Sequence, residues 1–248
     1  MARTRLAVII DANDPALLAR FWAALLRRDL ISDAARLTLP ARDDRELAIR
    51  FEPTARAKRV PNWAHFDLTS TSLDDQKQTV TRALGLGATL IDFGQGPDAV
   101  HDVLADPEGN EFCVTPHWNT FLARTDRIGA LACDGTRAVG EFWAAALGWP
   151  LVWDEGEETA IQSPAGGTKI SWGGPPLMER DGRNRWRYEL ITETSVRDEV
   201  DQLTALGAAL VSPTDDRADS TAMSDPDGNE FTVAAPRSWT SERRPRPV

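Results

Sequence analysis

The chain has 248 residues, 42% hydrophobic and 27% charged, with 28 Lys+Arg against 38 Asp+Glu for a net charge of -10. That length fits one large domain or two of ordinary size, and the charge repels a phosphate backbone, so no nucleic-acid partner is expected. No apolar run approaches the ~20 residues of a membrane span, and two cysteines, Cys113 and Cys133, are too few for a disulfide framework.

Taken in chain order, Leu6 to Ile10 is a branched apolar run that meets Asp11, Asn13 and Asp14 with no small-residue cleavage site. It reads as a strand rather than a signal peptide, and the expected location is the cytoplasm. Asp14-Pro15 supplies an N-cap followed by proline in the first turn, and Ala16 to Leu26 has helical periodicity. Short strand-like segments lead to Leu47–Phe51, then Trp63 to Thr69 restarts the scheme with a strand. A helix follows from near Ser72 to Gly87, where glycine accepts a left-handed cap. Strands are expected at 89–92, 100–105 and 110–115, the last two joined by the turn Asp106-Pro107-Glu108-Gly109.

The chain repeats itself. FWAALL from Phe21 returns as FWAAAL from Phe142, ALGLGATL ending at Leu90 as ALGAAL ending at Leu210, and DPEGNEFCV from Asp106 as DPDGNEFTV from Asp225. Two copies of about 120 residues point to two homologous domains, each of two βαβββ modules. The expected division is 1–117 and 127–236, with 118–126 as linker and 237–248 as a disordered tail. The tail's Arg243-Arg244-Pro245-Arg246 is the one basic cluster, and a Pro-rich terminus reads as a chain end rather than a nucleic-acid arm.

The paired modules, the FWA helix and the DPxGN turns resemble the vicinal oxygen chelate superfamily, which includes glyoxalase I, bleomycin-resistance proteins and extradiol dioxygenases. The resemblance covers the chain apart from the tail. It implies an α+β fold of two tandem glyoxalase-like domains, whose curved mixed sheets form clefts lined by residues facing away from the helices. Alternation then puts His65 and Asp67 in a cleft, and Ala64, Phe66 and Leu68 beneath the helices. Metal-dependent members resemble one another in taking ligands from the first and last strands of modules. Carried over by position, the ligand sites fall at Ala7, His65 and Cys113 in the first copy and at Ile128, Arg187 and Thr232 in the second. Only His65 is a strong match, so no cofactor is expected; a divalent metal in the first domain, with Asp67, Cys113, Glu111 or His101 joining His65, is the alternative.

In the second copy Arg187 and Glu189 replace His65 and Asp67, as a ligand clamp or as a mutual buried salt bridge. No phosphate loop occurs, Ser163 to Gly167 reads as a hairpin turn, and three histidines offer no Ser-His-Asp grouping. Nine Trp stand beside a single Tyr. Trp22 and Trp143 read as helix-borne core, Trp149, Trp153 and Trp172 as strand residues that wall a pocket or pack, and Trp63 and Trp186 as cleft-rim residues.

The expected ligand-contacting set is therefore His65, Asp67, Phe51, Cys113, Trp172, Arg187, Glu189 and Thr232, with Asp67 and Glu111 as acid/base candidates. The resemblance implies binding of a small molecule, with an aromatic one favoured by the tryptophans, without a complete metal site. A metal-dependent lyase, isomerase or oxygenase using the first domain is the alternative, and a structural pairing protein with vestigial clefts the third. The sequence leaves monomer and homodimer open.

Overall fold

The computed structural model describes residues 5–33, 36–92, 94, 96, 99–211 and 219–236; the expected tail, 237–248, lies outside the described residues. Four βαβββ modules follow one another. The first holds β1 (Arg5–Ala12), α1 (Pro15–Leu26), β2 (Ile31–Asp33), β3 (Arg36–Leu39) and β4 (Ala48–Pro53). The second holds β5 (Ala64–Leu68), α2 (Leu73–Gly85), β6 (Thr89–Leu90), β7 (Asp102–Ala105) and β8 (Glu111–Val114). The third holds β9 (Ile128–Cys133), α3 (Arg137–Leu147), β10 (Leu151–Glu155), β11 (Glu158–Gln162) and β12 (Lys169–Trp172). The fourth holds β13 (Trp186–Ile191), α4 (Val196–Ala205), β14 (Ala209–Leu210), β15 (Ser220–Ser224) and β16 (Glu230–Ala234).

Local chemistry sets the helix ends. Asp14, Ser72 and Ser195 each accept a hydrogen bond from the backbone N–H three residues on, and Pro15 fills a first-turn position where no N–H is needed. Gly148 closes α3 at φ 64°, a conformation that costs a side-chain-bearing residue energy.

The strands form two eight-stranded mixed sheets, sheet A in the order β14-β15-β16-β13-β1-β4-β3-β2 and sheet B in the order β10-β11-β12-β9-β5-β8-β7-β6. Each sheet thus joins one module from each half of the chain, first with fourth and second with third, where the repeat leads one to expect sequence neighbours to share a sheet. The seams are antiparallel, β1 against β13 and β5 against β9. Within a half, the two modules meet through helices and turns instead.

The turns explain this arrangement. Asp106 accepts from Glu108 N, from Asn110 N and Nδ2, and from the Trp22 indole of α1, while Glu108 accepts the backbone N–H groups of Asn13 and Asp14 before α1. Asp225 and Asp227 repeat the pattern on Trp143 and Thr136. Each DPxGN turn therefore fastens its module to the helix of the preceding one, which leaves the strand edges free to pair across the halves.

The core lies between the two sheets. The Trp22 ring is 5.4 Å from Phe66, 5.2 Å from Phe112 and 6.3 Å from Trp186; Trp143 is 4.7 Å from Tyr188 and 5.0 Å from Phe231. Rings of this size bury roughly 150–250 Å2 each, worth about 4–6 kcal/mol in transfer free energy. With that face of each sheet committed to packing, the opposite face is left to form a cleft. Among the described residues no helix is long and apolar enough to cross a membrane.

Candidate functional site

The cleft of sheet B is built by alternation. In β5, Ala64, Phe66 and Leu68 are buried toward the core, so His65 and Asp67 point the other way and are half-buried. Cross-strand register extends this face in two rows. One runs Trp153, Ala160, Ser171, Ala132, His65; the other runs Gln162, Lys169, Ala130, Asp67, Cys113, Val103. The middle of the cleft is floored by alanines and one serine, with polar side chains to one side.

His65 Nε2 lies 3.4 Å from Asp67 Oδ1, and one ligand atom from each of His65, Asp67 and Cys113 falls within 4.8 Å of the others. Burial works to lower the His65 pKa, but hydrogen bonds to Asp67 and Cys113 and the nearby charge outweigh it and raise it to about 10. Burial pushes the Cys113 thiol up. The raised pKa favours the imidazolium form of His65 beside Asp67 and Cys113.

Sheet A carries the counterpart positions with different chemistry. Arg187, Glu189 and Thr232 stand where sheet B has His65, Asp67 and Cys113, with Ile9 and Ala7 opposite Arg187 and Glu189. Arg50, beside Ile9, stands where sheet B has Ser171 beside Ala132. Arg50 pairs with Glu189, while Arg187 lies 2.6 Å from Asp11 and 3.2 Å from Glu52. Arg187 and Glu189 therefore pair with neighbouring strands and not with each other. With Arg50, Arg187, Glu189 and Asp11 all at most 8% exposed, the ion pairs plug the floor of this cleft. At one end of sheet A, around Arg5, Ala48, Arg50, Trp149 and Ile191, a groove of about 1130 Å3 opens. Among its charged wall residues, Arg42 and Arg45 are held by Glu46 and Asp126.

Several expected site residues lie elsewhere. Phe51 is registered with Ile10 on the core face, and Trp172 with Cys133 on the face that α3 covers; both are nearly inaccessible, so neither lines a cleft. Parity decides this: Arg50 and Ser171, one residue away, take the cleft positions. Trp63 and Trp186 are likewise core, the Trp63 indole donating to the Trp186 carbonyl. Glu111 shares the face of Cys113 two residues along β8, but its carboxylate is held by Lys58 and the Asn62 N–H and is not among the three grouped ligand atoms. His117 is exposed against Trp118, and Trp149 both packs on the core edge and lines the groove of sheet A. Lys169 and Phe121 belong to the cleft of sheet B and were not foreseen; reading the β11–β12 hairpin in register would have found Lys169, whereas Phe121 comes from the linker.

The donor set of sheet B fits a divalent metal. An imidazole, a carboxylate and a cysteine sulfur are each zinc-ligand types, and three protein ligands leave zinc one open position, whereas Arg187, Glu189 and Thr232 do not fit.

Comparison with known proteins bears on the fold. The chain resembles glyoxalase I from Zea mays at a TM-score of 0.68 and 14% identity, over 94% of this chain and 93% of that one. It resembles the cppA protein from Streptococcus pneumoniae TIGR4 at a TM-score of 0.50 and 9% identity, over 94% and 97% respectively. At such identities the likeness is one of fold alone. Among curated proteins none matches. A family model described as a glyoxalase-like domain matches residues 7–115 and again 129–234. Matched twice over most of its length, the chain belongs to the glyoxalase-like domain family of the vicinal oxygen chelate superfamily, with two tandem copies.

Proposed function

We propose that the protein binds a small molecule in the cleft of sheet B, with His65, Asp67 and Cys113 as the polar anchor and Ala130, Ala132, Ala160 and Ser171 as the floor. The observation that carries this reading is the exchange of Arg50 for Ser171 at matching positions of the two sheets. In sheet A the arginine covers the floor and neutralises Glu189. In sheet B a serine stands there, Ser171 and Ala132 stay part-exposed between the buried Ala130 and Ala160, and Asp67 turns to His65. The imidazolium offers a donor to a ligand oxygen, and Asp67 fixes its protonation; small-molecule sites commonly combine an apolar surface with a few such groups.

A second reading, favoured by three ligand atoms within 4.8 Å, gives the same cleft a metal-assisted reaction. His65, Asp67 and Cys113 would hold the ion, which would supply Lewis-acid polarisation of a substrate oxygen.

The test is calorimetric titration of a panel of two-ring aromatic compounds against the wild type, Ser171→Arg and Ala132→Leu, with zinc content measured on the same preparations. Binding that the two folded variants lose supports the cleft of sheet B. No binding to the wild type, or equal binding to all three, overturns the reading, and stoichiometric zinc moves it to the second.

A further inference from the structure

Lys169 stands out among the charged residues of the cleft. It lies in the row of Ala130 and Asp67, yet forms no ion pair among the described residues. Its ammonium sits 4.6 Å from the Phe121 ring centroid and donates to the Phe121 carbonyl, which uses one of its three donors. Burial lowers its pKa, with no carboxylate opposing the effect. A partly desolvated cation with donors to spare and no acid beside it is suited to an incoming anion.

Next to it stands an aromatic wall. Trp153 is 39% exposed and meets Phe121 edge-on, the ring centroids 5.8 Å apart at 87°. Trp153 begins the row that runs across Ala160, Ser171 and Ala132 to His65. At roughly 4.8 Å per strand the row measures about 19 Å along the curved sheet, and its two part-exposed central side chains, Ser171 and Ala132, are small enough for a flat ring to lie against the strands. A tryptophan offered to solvent over such a floor is suited to stacking.

We propose that Lys169, Phe121 and Trp153 select a planar aromatic ligand bearing an anionic group, the ring lying between Trp153 and His65 and the anion meeting Lys169. This rests on the reading of sheet B as the ligand cleft and adds the chemical class of the ligand, together with a role for the linker residue Phe121.

The test uses 2-naphthoate and its neutral counterpart 2-naphthamide, titrated calorimetrically against the full chain. The wild type should bind the acid about tenfold more tightly than the amide. Lys169→Met should abolish that ratio while leaving the affinity for the amide unchanged, Lys169→Arg should keep it, and Trp153→Ala should weaken both ligands together. Melting temperatures verify that each variant folds. A ratio unchanged in Lys169→Met, or equal binding of acid and amide by the wild type, overturns this inference while the cleft reading stands. Failure of both compounds to bind the wild type, or binding retained in Ser171→Arg, overturns the cleft reading and this inference with it.

Discussion

Ser171→Arg copies into sheet B the residue that plugs sheet A. An arginine there has Ala132 beside it and Asp67 on the diagonal, as Arg50 has Ile9 beside it and Glu189 on the diagonal. Coulombic attraction and desolvation nearly offset each other in such a pair, so stability should change by only about 1 kcal/mol. Ligand affinity should fall at least about 100-fold, ~2.7 kcal/mol, because the guanidinium covers the floor. The reciprocal change, Arg50→Ser, strips the cation from Glu189, which is 4% exposed, and should cost about 3–5 kcal/mol. For a chain of this size that is a fall of about 6–20 °C in melting temperature. Scanning calorimetry and ligand titration of both variants read all of these effects. Wild-type affinity in Ser171→Arg together with wild-type melting of Arg50→Ser would refute the reasoning.

Other consequences follow from the same geometry. Gly140→Ala would normally strengthen a helix interior, but a Cβ there falls 2.0 Å from Thr159 Oγ1 and 3.2 Å from Trp172 Cε3, so it should destabilise by about 1–3 kcal/mol in chemical denaturation. Trp22→Ala removes a fully buried indole and one of the donors to Asp106, and should cost about 3–5 kcal/mol by the same measurement. The His65 pKa is raised in the folded state to about 10 from 6.5, so its contribution to stability is complete below pH 6.5 and lost as pH rises to 10. Stability should therefore decline across that window, and Asp67→Asn should flatten the decline; an unchanged slope would remove Asp67 as the cause. Elemental analysis of untagged protein should find zinc well below stoichiometric on the binder reading, whereas stoichiometric zinc that His65→Ala abolishes favours the metal-assisted one.

The repeated FWA and DPxGN segments and the strand-to-helix switch at Asp14-Pro15 made the modules legible, because capping and turn chemistry are local. Alternation in β5 likewise placed His65 and Asp67 on one face from sequence alone. Which modules share a sheet was not legible, since that depends on contacts such as Trp22 with Asp106, 84 residues apart. The misplaced Phe51 and Trp172 show how a period of two fails when a strand's parity is guessed: a shift of one residue exchanges a cleft residue for a core residue. The ion pairs of sheet A illustrate the same limit. Arg187 and Glu189 were visible as a buried pair of opposite charges, but their partners Asp11, Glu52 and Arg50 come from strands far away in sequence.

The central claim is that the ligand sits on the sheet B face that holds His65, Asp67 and Cys113, and not on sheet A, whose floor is crossed by ion pairs beside its groove, and alanine methyls report on both floors. In a sample labelled at alanine methyl groups, saturating 2-naphthoate should shift the resonances of Ala130, Ala132 and Ala160 on sheet B and leave those of Ala7, Ala48 and Ala222 on sheet A unchanged. Shifts confined to the sheet A alanines, or an unaltered spectrum, would contradict the assignment of the working site to the cleft that holds His65, Asp67 and Cys113.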